Sequence, residues 1–427
     1  MHNMKDWKPV DMSFYFEILN IQNDNFVEVG VEDVLKIERE FGIDAYHDIL
    51  GKYDKVIVSQ QTEAYGMANK LKNFYANFDS DKIFVINDGF VCEKYLDRIY
   101  PTVPRENIFY NPLLSIWHSW NHVLSDNSRI LAHSYGKSNI RLSPHANKIN
   151  DGFRNIHNND INTLCDYESK MDRDFKFIVL NNNYKPGRAL FVDVMSDSFI
   201  KENWVSANFL QSKENELNWN NYDCNNFEEE IKNPQERDVY KYIRKDDYSK
   251  YENDNTGWNS CYEIIWTQHL NKAYIQPYWE SCAWTDAVTD GHYMVNEKTL
   301  LPLLMEHLSI PLGIFYVDFL EKLGYEFVKK IGDVDINETI SQEEIGYCGY
   351  GKTDEEEQKI TKKIKDWNLN LFNKINKINN LYSLSDIKDI YVQNYDTIKH
   401  NKELVKNHAS DNNVIDELRK WILKWVI

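Results

Sequence analysis

The first half of the chain alternates short apolar runs of strand length with stretches in which apolar residues recur at helical spacing. Residues 53–59 (YDKVIVS) and 82–87 (KIFVIN) are the apolar runs, and residues 63–77 and 91–99 have the helical spacing. Strands that alternate with helices at this interval are typical of a parallel sheet of Rossmann type. We therefore predict an N-terminal Rossmann-like domain over residues 1–165.

The same pattern starts again in the second half. Residues 175–180 (FKFIVL) predict a buried strand, and a helix follows near Arg188. Further on, the pattern predicts two more strands, at 273–276 and 310–313, and a helix between them at 297–307. These elements predict a second α/β domain over residues 171–345.

The last part of the chain has the spacing of amphipathic helices. Ile360, Ile364, Trp367 and Leu371 follow one another at intervals of three or four residues, which is the period of one helical face. We predict that residues 346–427 form a helical segment that packs back on the body of the protein.

Charge and cysteine content narrow the functional classes. The formal net charge is −18 and the pI is about 5.2, so the surface repels both phosphate backbones and anionic lipids. Nucleic acid is therefore disfavoured as a partner, although a local basic groove would permit it. The six cysteines are scattered without a metal-binding spacing, which is typical of reduced cytoplasmic proteins. Because the sequence has neither a signal peptide nor an apolar run of about 20 residues, we expect a cytoplasmic protein with no membrane partner.

Residues 346–353 (GYCGYGKT) match the P-loop pattern of nucleoside triphosphatases letter for letter. The chemistry of that loop needs a buried strand before it and a helix after it. Here residues 336–344 (INETISQEE) are too polar for a central strand, and residues 354–357 place four carboxylates where the triphosphate would lie. A P-loop NTPase is therefore kept only as the alternative from another functional class.

Three D-x-D pairs and one pair of histidines are the candidates for a metal site. The acidic pairs start at Asp79, Asp172 and Asp333, and His118 and His122 lie one helical turn apart. Short acidic pairs are common on solvated turns, and the first two precede strands, whereas α/β sheets bind ligands after their strands. With no third ligand close to the histidines in sequence, we expect no metal site and no required cofactor.

Two stretches of the second domain carry a more specific pattern. The first is 176–188 (KFIVLNNNYKPGR), and the second includes 279–281 (WES), 295–303 (VNEKTLLPL), 310–313 (IPLG) and 319–327 (FLEKLGYEF). Together they resemble a family of phage and bacterial glycosyltransferases, in which a basic residue follows a strand ending in Leu-Asn and a Glu-Lys pair opens a later helix. The Glu-Lys element is similar to the donor-binding motif of fucosyltransferases with the GT-B fold.

The resemblance covers residues 171–330 and touches the first half only at 59–66 (SQQTEAYG). The chain departs from the family at Asn296, where Thr or Ser is usual, and at Gly187, where His or another basic residue is usual. The pattern therefore predicts a donor site without predicting which sugar or base the donor carries.

The resemblance implies both a fold and an activity. The fold is that of two Rossmann-like domains facing each other across a cleft, as in GT-B proteins, with a C-terminal helical segment. The activity is transfer of a sugar from a nucleoside-diphosphate sugar of UDP or GDP type to a hydroxyl acceptor, with inversion at the anomeric carbon. By analogy with the fucosyltransferases, a carboxylate of the first domain is the base, with Glu63 as first candidate and Asp88 as second. A viral member of the family would work in the cytoplasm of its host.

The same residues fit a donor site on physical grounds. Such a site needs a carboxylate for the ribose hydroxyls, a cation for the diphosphate and helix N-termini whose amides face the phosphates. Asn296 is a fair N-cap, which places Glu297 and Lys298 in the first turn of a helix. Asn181 ends a strand and Arg188 follows it, at the carboxyl edge where α/β sheets bind ligands.

Glu280 is a second candidate for the contact with the ribose or the sugar. Three alternatives remain within this interpretation. The enzyme would glycosylate modified bases of phage DNA if it had a basic groove, or the chain would be a sugar-binding module without catalysis. In the third alternative, Glu297 only complements the dipole of its helix and Lys298 is solvated.

Overall fold

Two four-stranded parallel sheets form the framework of the protein in its computed structural model. The chain divides into two compact units. The first contains Met1–Thr163, Gly291–Glu297 and Asn407–Ile427, and the second contains Leu164–Asp290 and Lys298–Lys406. The residues that the structure describes are 23–60, 71–87, 100–114, 171–181, 186–207, 272–279, 297–337, 353–410 and 413–426, with the single positions Tyr15, Leu19, Leu96, Ile116, Val295 and Glu344.

The strands of the first sheet pair in the order in which they occur along the chain. They are β1 (Phe26–Gly30), β2 (Lys55–Gln60), β3 (Ile83–Asn87) and β4 (Ile108–Tyr110), and every pairing is parallel. Valine, isoleucine and phenylalanine dominate these runs, as expected for strands buried on both faces. The helices that the structure describes around this sheet are α1 (Val31–Phe41), α2 (Ala45–Leu50) and α3 (Lys72–Asn77).

The second sheet has a different strand order. Its parallel strands are β5 (Phe175–Asn181), β6 (Trp204–Ala207), β7 (Ala273–Tyr278) and β8 (Leu308–Pro311), in the order β6-β5-β7-β8. Helices α4 (Pro186–Val194) and α5 (Asp197–Glu202) connect β5 to β6. Helix α6 (Glu297–Leu304) leads into β8, and α7 (Tyr316–Lys322) follows it. A short antiparallel hairpin comes next, formed by β9 (Lys330–Ile331) and β10 (Val334–Asp335).

Helices make up nearly all of the described residues from 353 onward. They are α8 (Asp354–Leu381), α9 (Leu384–Gln393), α10 (Tyr395–Ser410) and α11 (Asn413–Val426). The apolar face of α8 enters the core of the second unit, where Phe372 lies edge-on to Phe191 and Trp279 at ring-centroid distances of 5.0 and 5.5 Å. None of the helices in the described ranges combines the length and the apolar character that a membrane span requires.

The last helix, α11, packs in the first unit rather than in the second. Leu418 and Ile422 are buried in one cluster with Phe84 and Phe109 of the first sheet. The Trp421 ring lies 5.8 Å from that of Phe84 and 5.6 Å from that of Phe109, and its indole N–H donates to the carbonyl of Glu106 at 3.1 Å. The two ends of the chain therefore build one core together.

The elements predicted from the sequence agree with the structure where apolar runs are long. The strands predicted at 53–59, 82–87, 175–180 and 273–276 are confirmed within a few residues, as is the parallel α/β fold class. The strand predicted at 310–313 begins earlier, at Leu308, and the helix predicted at 297–307 ends at Leu304. Of the two helices predicted in the first half, the structure describes Lys72–Asn77 and, from the second, only Leu96.

Candidate functional site

The carboxyl edge of the second sheet contains a topological switch point. Strand β6 lies on one side of β5, and β7 lies on the other side of it. The strand that follows β5 in the chain therefore lies on one side of the switch point, and the strand that follows β7 lies on the other. Open α/β sheets bind ligands at the carboxyl ends of their strands at such a point. We take this edge, around the ends of β5 and β7, as the candidate site.

Helix α4 brings a buried guanidinium to this edge. The helix starts with Pro186, a residue suited to the first helical position because its missing N–H would have no partner there. Arg188 is the third residue of α4 and is only 9% exposed. Because α4 follows β5, its first turn lies at the carboxyl edge, and the positive end of a helix dipole favours an anion.

Helix α6 brings a second cation to the same edge. Its eight residues span about 12 Å, which matches the length of about 13 Å for the four-residue strand β8 that follows it. The first turn of α6 therefore reaches the carboxyl edge, and half-buried Lys298 is its second residue. Buried Thr299 fixes the helix against α7, because its hydroxyl lies 2.9 Å from that of Tyr316.

Trp279 adds a buried donor at the end of β7. The residue is 3% exposed, and its ring packs edge-on against Phe372 of α8. Its indole N–H meets no acceptor in the part of the chain that the structure describes. A buried donor without an acceptor costs about 1–3 kcal/mol, so such a group calls for a ligand or a water molecule.

Two buried charged side chains at the opposite, amino edge of the same sheet have partners within the protein. Arg173, which precedes β5, is 4% exposed and donates to the carbonyls of Ala273 at 2.5 Å and Glu306 at 3.1 Å and to the hydroxyl of Tyr391 at 2.9 Å. The Glu306 carboxylate pairs with Lys402 at 2.8 Å, and both side chains are 5% exposed. Removal of one partner from such a buried charged pair is strongly destabilising. We therefore assign these charged groups of the amino edge a structural role.

A second structural anchor at the amino half of the sheet involves Lys176 and Asn203. The Lys176 ammonium donates to the carbonyl of Asn379 at 2.7 Å and pairs with Glu202 at 3.3 Å. The Asn203 side chain accepts from the Phe177 N–H at 2.9 Å and donates to the Asn379 side chain at 2.8 Å. These bonds attach α8 to β5.

The remaining predicted site residues are only partly visible. Asn181 is the last residue of β5 and Glu297 the first of α6, and only their backbone is described. Their positions put both at the carboxyl edge of the second sheet with Arg188 and Lys298. Outside the described residues lie Glu63, Asp88, Glu280 and Asn296.

The P-loop match at 346–353 is described only at its last residue. Thr353 caps α8: its hydroxyl accepts from the Glu356 N–H at 3.3 Å, and the Glu356 carboxylate accepts from the Thr353 N–H at 3.0 Å. In a P-loop this hydroxyl would bind the magnesium ion of the nucleotide. Here it is a capping group beside a carboxylate.

The acidic pairs also have local partners. The Asp172 carboxylate accepts a hydrogen bond from Lys388 and thereby raises the pKa of that ammonium. Asp79 accepts from the Asp81 N–H at 3.1 Å in an exposed turn, and Asp335 accepts from the Asn337 N–H at 2.9 Å. Within the described stretches, no three or more His, Cys, Asp or Glu side chains form a group able to hold a metal ion.

Comparison with known proteins finds no matching family model, no matching curated protein and no matching solved structure.

Two residues of interest were not predicted from the sequence. Trp279 is one, and Asn87 of the first sheet is the other. Asn87 ends β3 and is fully buried, and neither its amide oxygen nor its amide nitrogen has a partner among the residues that the structure describes. Neither residue stands out in the sequence, because aromatic rings and small amides are common at the ends of apolar strands.

Proposed function

We propose that the chain is a glycosyltransferase that binds a nucleoside-diphosphate sugar at the carboxyl edge of the second sheet. The observation that supports this proposal is the place of three residues in the second sheet: Arg188 lies in the first turn of the helix after β5, Lys298 in the first turn of the helix before β8, and Trp279 directly after β7. Two cations, one neutral donor and two helix N-termini at one edge of a sheet fit a ligand with a diphosphate.

Each group has a role in this proposal. Arg188 and Lys298 stabilise the leaving diphosphate as negative charge develops on it. The Trp279 N–H donates to an oxygen of the donor. The backbone of Asn181 and Glu297 lies at the same edge, and their side chains, with those of Glu280 and Asn296, are proposed to contact the ribose or the sugar.

The first unit is proposed to receive the acceptor, so that the two units correspond to the two domains of a GT-B enzyme. Glu63 is the first candidate for the base that takes the proton of the acceptor hydroxyl, and Asp88 is the second. Asn87, which directly precedes Asp88, supports a polar ligand at this position because its amide both donates and accepts. The transfer would invert the anomeric carbon and would take place in the cytoplasm.

Calorimetric titration with UDP and with GDP tests the donor site. A hydrogen bond to a charged group contributes about 1.5–3 kcal/mol, so Glu297→Ala and Lys298→Ala should each weaken nucleotide binding about 10- to 150-fold. Trp279→Phe keeps an aromatic ring and removes the N–H, so it should weaken binding about 2- to 10-fold. Lys388→Ala is the matched control, since this lysine pairs with Asp172 at the amino edge.

The donor-site assignment fails if Glu297→Ala and Lys298→Ala bind nucleotide as the unmodified protein does. It also fails if their melting temperatures collapse, because the pair would then be structural. Slow hydrolysis of a panel of nucleotide sugars then separates a transferase from a binding module, since only an enzyme releases the free sugar.

A further inference from the structure

A groove in the second unit lies beside β8, the last strand in the order of the second sheet. It is open to solvent, and the space that it encloses is small, about 50 Å³. Its walls come from the end of β8, the loop that follows, α7, the segment around β9 and β10, and α8. A ligand would therefore lie across a shallow surface rather than in an enclosed cavity. The lining includes Phe315, Asp318, Phe327, Lys329, Asn337 and Trp367.

Aromatic rings form much of the apolar wall of this groove. Phe315, Phe327 and Trp367 all line it, and each side chain is half-buried. Trp367 also packs against the core of the second unit, so its ring has firm support from one side. A supported ring with an exposed face attracts the C–H groups of a ligand, because the face of an aromatic ring carries partial negative charge.

The backbone of Phe315 is held in a conformation that this residue rarely adopts. Its φ is 61° and its ψ is −2°, in the left-handed region that disfavours residues with a Cβ atom. The left-handed conformation is therefore adopted by Phe315 and not by Gly313, which lies two residues earlier. Strained positions of this kind cluster where a side chain must be held in place for a ligand.

The polar groups of the groove favour hydroxyls over phosphates. Asp318 is exposed in the first turn of α7, and its carboxylate has no partner among the described residues. Lys329 pairs with Glu321 at 3.4 Å, so the cation on the rim is already compensated. An uncompensated carboxylate repels a nucleotide, whereas it accepts hydrogen bonds from sugar hydroxyls. The side-chain amide of Asn337 offers both a donor and an acceptor.

Strand β8, beside the groove, is poorly suited to pair with an added peptide strand. Strand β8 has only four residues, and the last of them, Pro311, has no N–H to donate to a neighbouring strand. We therefore propose that the groove binds a sugar ring, with its apolar face against the aromatic rings and its hydroxyls on Asp318 and Asn337. This carbohydrate site is separate from the nucleotide site and does not depend on the proposed transferase activity.

Fluorine NMR of the full chain labelled with fluorotryptophan tests both sites at once. The chain has twelve tryptophans, and the resonances of Trp367 and Trp279 are identified by their loss in Trp367→Phe and Trp279→Phe. The probes are UDP, GDP and the methyl glycosides of glucose, galactose, mannose, fucose and N-acetylglucosamine. We expect at least one glycoside to shift the Trp367 resonance with a millimolar Kd and to leave that of Trp279 unchanged.

Two variants and one control make this test specific. Phe315→Gly relaxes the backbone and removes the ring, so the glycoside should no longer shift Trp367. Asp318→Asn keeps the shape of the groove and should weaken glycoside binding about tenfold. Asp366→Asn changes an exposed carboxylate next to Trp367 on α8 and should leave binding unchanged.

The proposal is overturned if no glycoside shifts Trp367, or if the shift persists in Asp318→Asn and Phe315→Gly. It is also overturned if UDP or GDP shifts Trp367, because the groove would then be a nucleotide site. A nucleotide that shifts neither resonance counts against the proposed donor site alone and leaves the carbohydrate site standing.

Discussion

The two four-stranded sheets contain similar strands but differ in the order in which those strands follow one another along the chain. In the first sheet the strands pair in sequence order, whereas in the second the chain starts at an inner strand and proceeds to both sides of it. Only the strand order of the second sheet contains a topological switch point, and ligands bind at the carboxyl edge beside such a point. Strand order, rather than strand composition, therefore distinguishes the sheet that we assign to the nucleotide.

Four buried polar residues differ in the same way. At the amino edge of the second sheet, Arg173 and Asn203 have partners within the protein. At the carboxyl edges, Trp279 in the second sheet and Asn87 in the first have hydrogen-bonding atoms that no described residue satisfies. Groups that are kept at a cost to stability are candidates for function, and groups that are satisfied are candidates for structure.

The largest effect is expected from deletion of residues 413–427. The deletion removes Leu418 and Ile422 from the core of the first unit, and truncation of one such residue to alanine already costs about 2–5 kcal/mol. The first unit should unfold while the second keeps its own melting transition. Circular dichroism and limited proteolysis measure this, with Lys420→Ala on the exposed side of α11 as control. Loss of the second unit first would contradict the assignment of α11 to the first core.

The second-largest effect is expected on turnover when the proposed base in the first unit is replaced. Glu63→Gln removes the proposed proton acceptor and keeps its shape, so kcat should fall about 10²- to 10⁴-fold with nucleotide affinity nearly intact. Lys298→Ala should change nucleotide affinity as well. Steady-state kinetics combined with calorimetry check this pair, and unchanged turnover in Glu63→Gln would transfer the role of base to Asp88 or elsewhere.

A smaller effect compares two buried asparagines, one from each sheet. Asn203→Ala should lower the free energy of unfolding by about 3 kcal/mol, since it removes several hydrogen bonds and leaves the Phe177 N–H buried without a partner. Asn87→Ala removes an amide that has no hydrogen bond to any residue that the structure describes, so stability should stay within about 1 kcal/mol. Urea unfolding measures both. If Asn87 binds the acceptor, Asn87→Ala should raise the acceptor KM, and equal destabilisation by both substitutions would remove the distinction between them.

The smallest effect is expected at the P-loop match. Lys352→Ala should leave nucleotide binding unchanged, because the assigned nucleotide site lies at the switch point of the second sheet. Calorimetry with ATP and UDP is the measurement. A wild type that hydrolyses ATP and loses ATP binding on this substitution would revive the NTPase alternative.

Much of the second unit follows from its sequence because its strands are long and apolar. Strand β5 and the helix that carries Arg188 were predictable from the run FKFIVL and the Lys-Pro-Gly-Arg that comes after it. The short strands were not: β4 has three residues and β6 has four, too few for a periodic pattern. The side of β5 on which β7 pairs was not predictable either, because strand order depends on contacts between residues far apart in the chain.

Of the candidate site, only the charged groups were predictable from the sequence. Arg188 and Lys298 stand out because a cation in the first turn of a helix opposes the dipole and needs another reason to be there. Trp279 and Asn87 do not stand out, since an aromatic ring and a small amide are ordinary at the ends of strands. Their importance depends on a missing partner, and that becomes visible only when the surrounding residues are in place.

The return of α11 to the first sheet has a consequence for synthesis of the protein. Trp421 bonds to a carbonyl 315 positions earlier in the chain, and the core around it includes strands of the first sheet. Domains usually fold in order as they leave the ribosome. Here the first unit lacks part of its core until α11 has left the exit tunnel, so the second unit is free to fold before the first is complete.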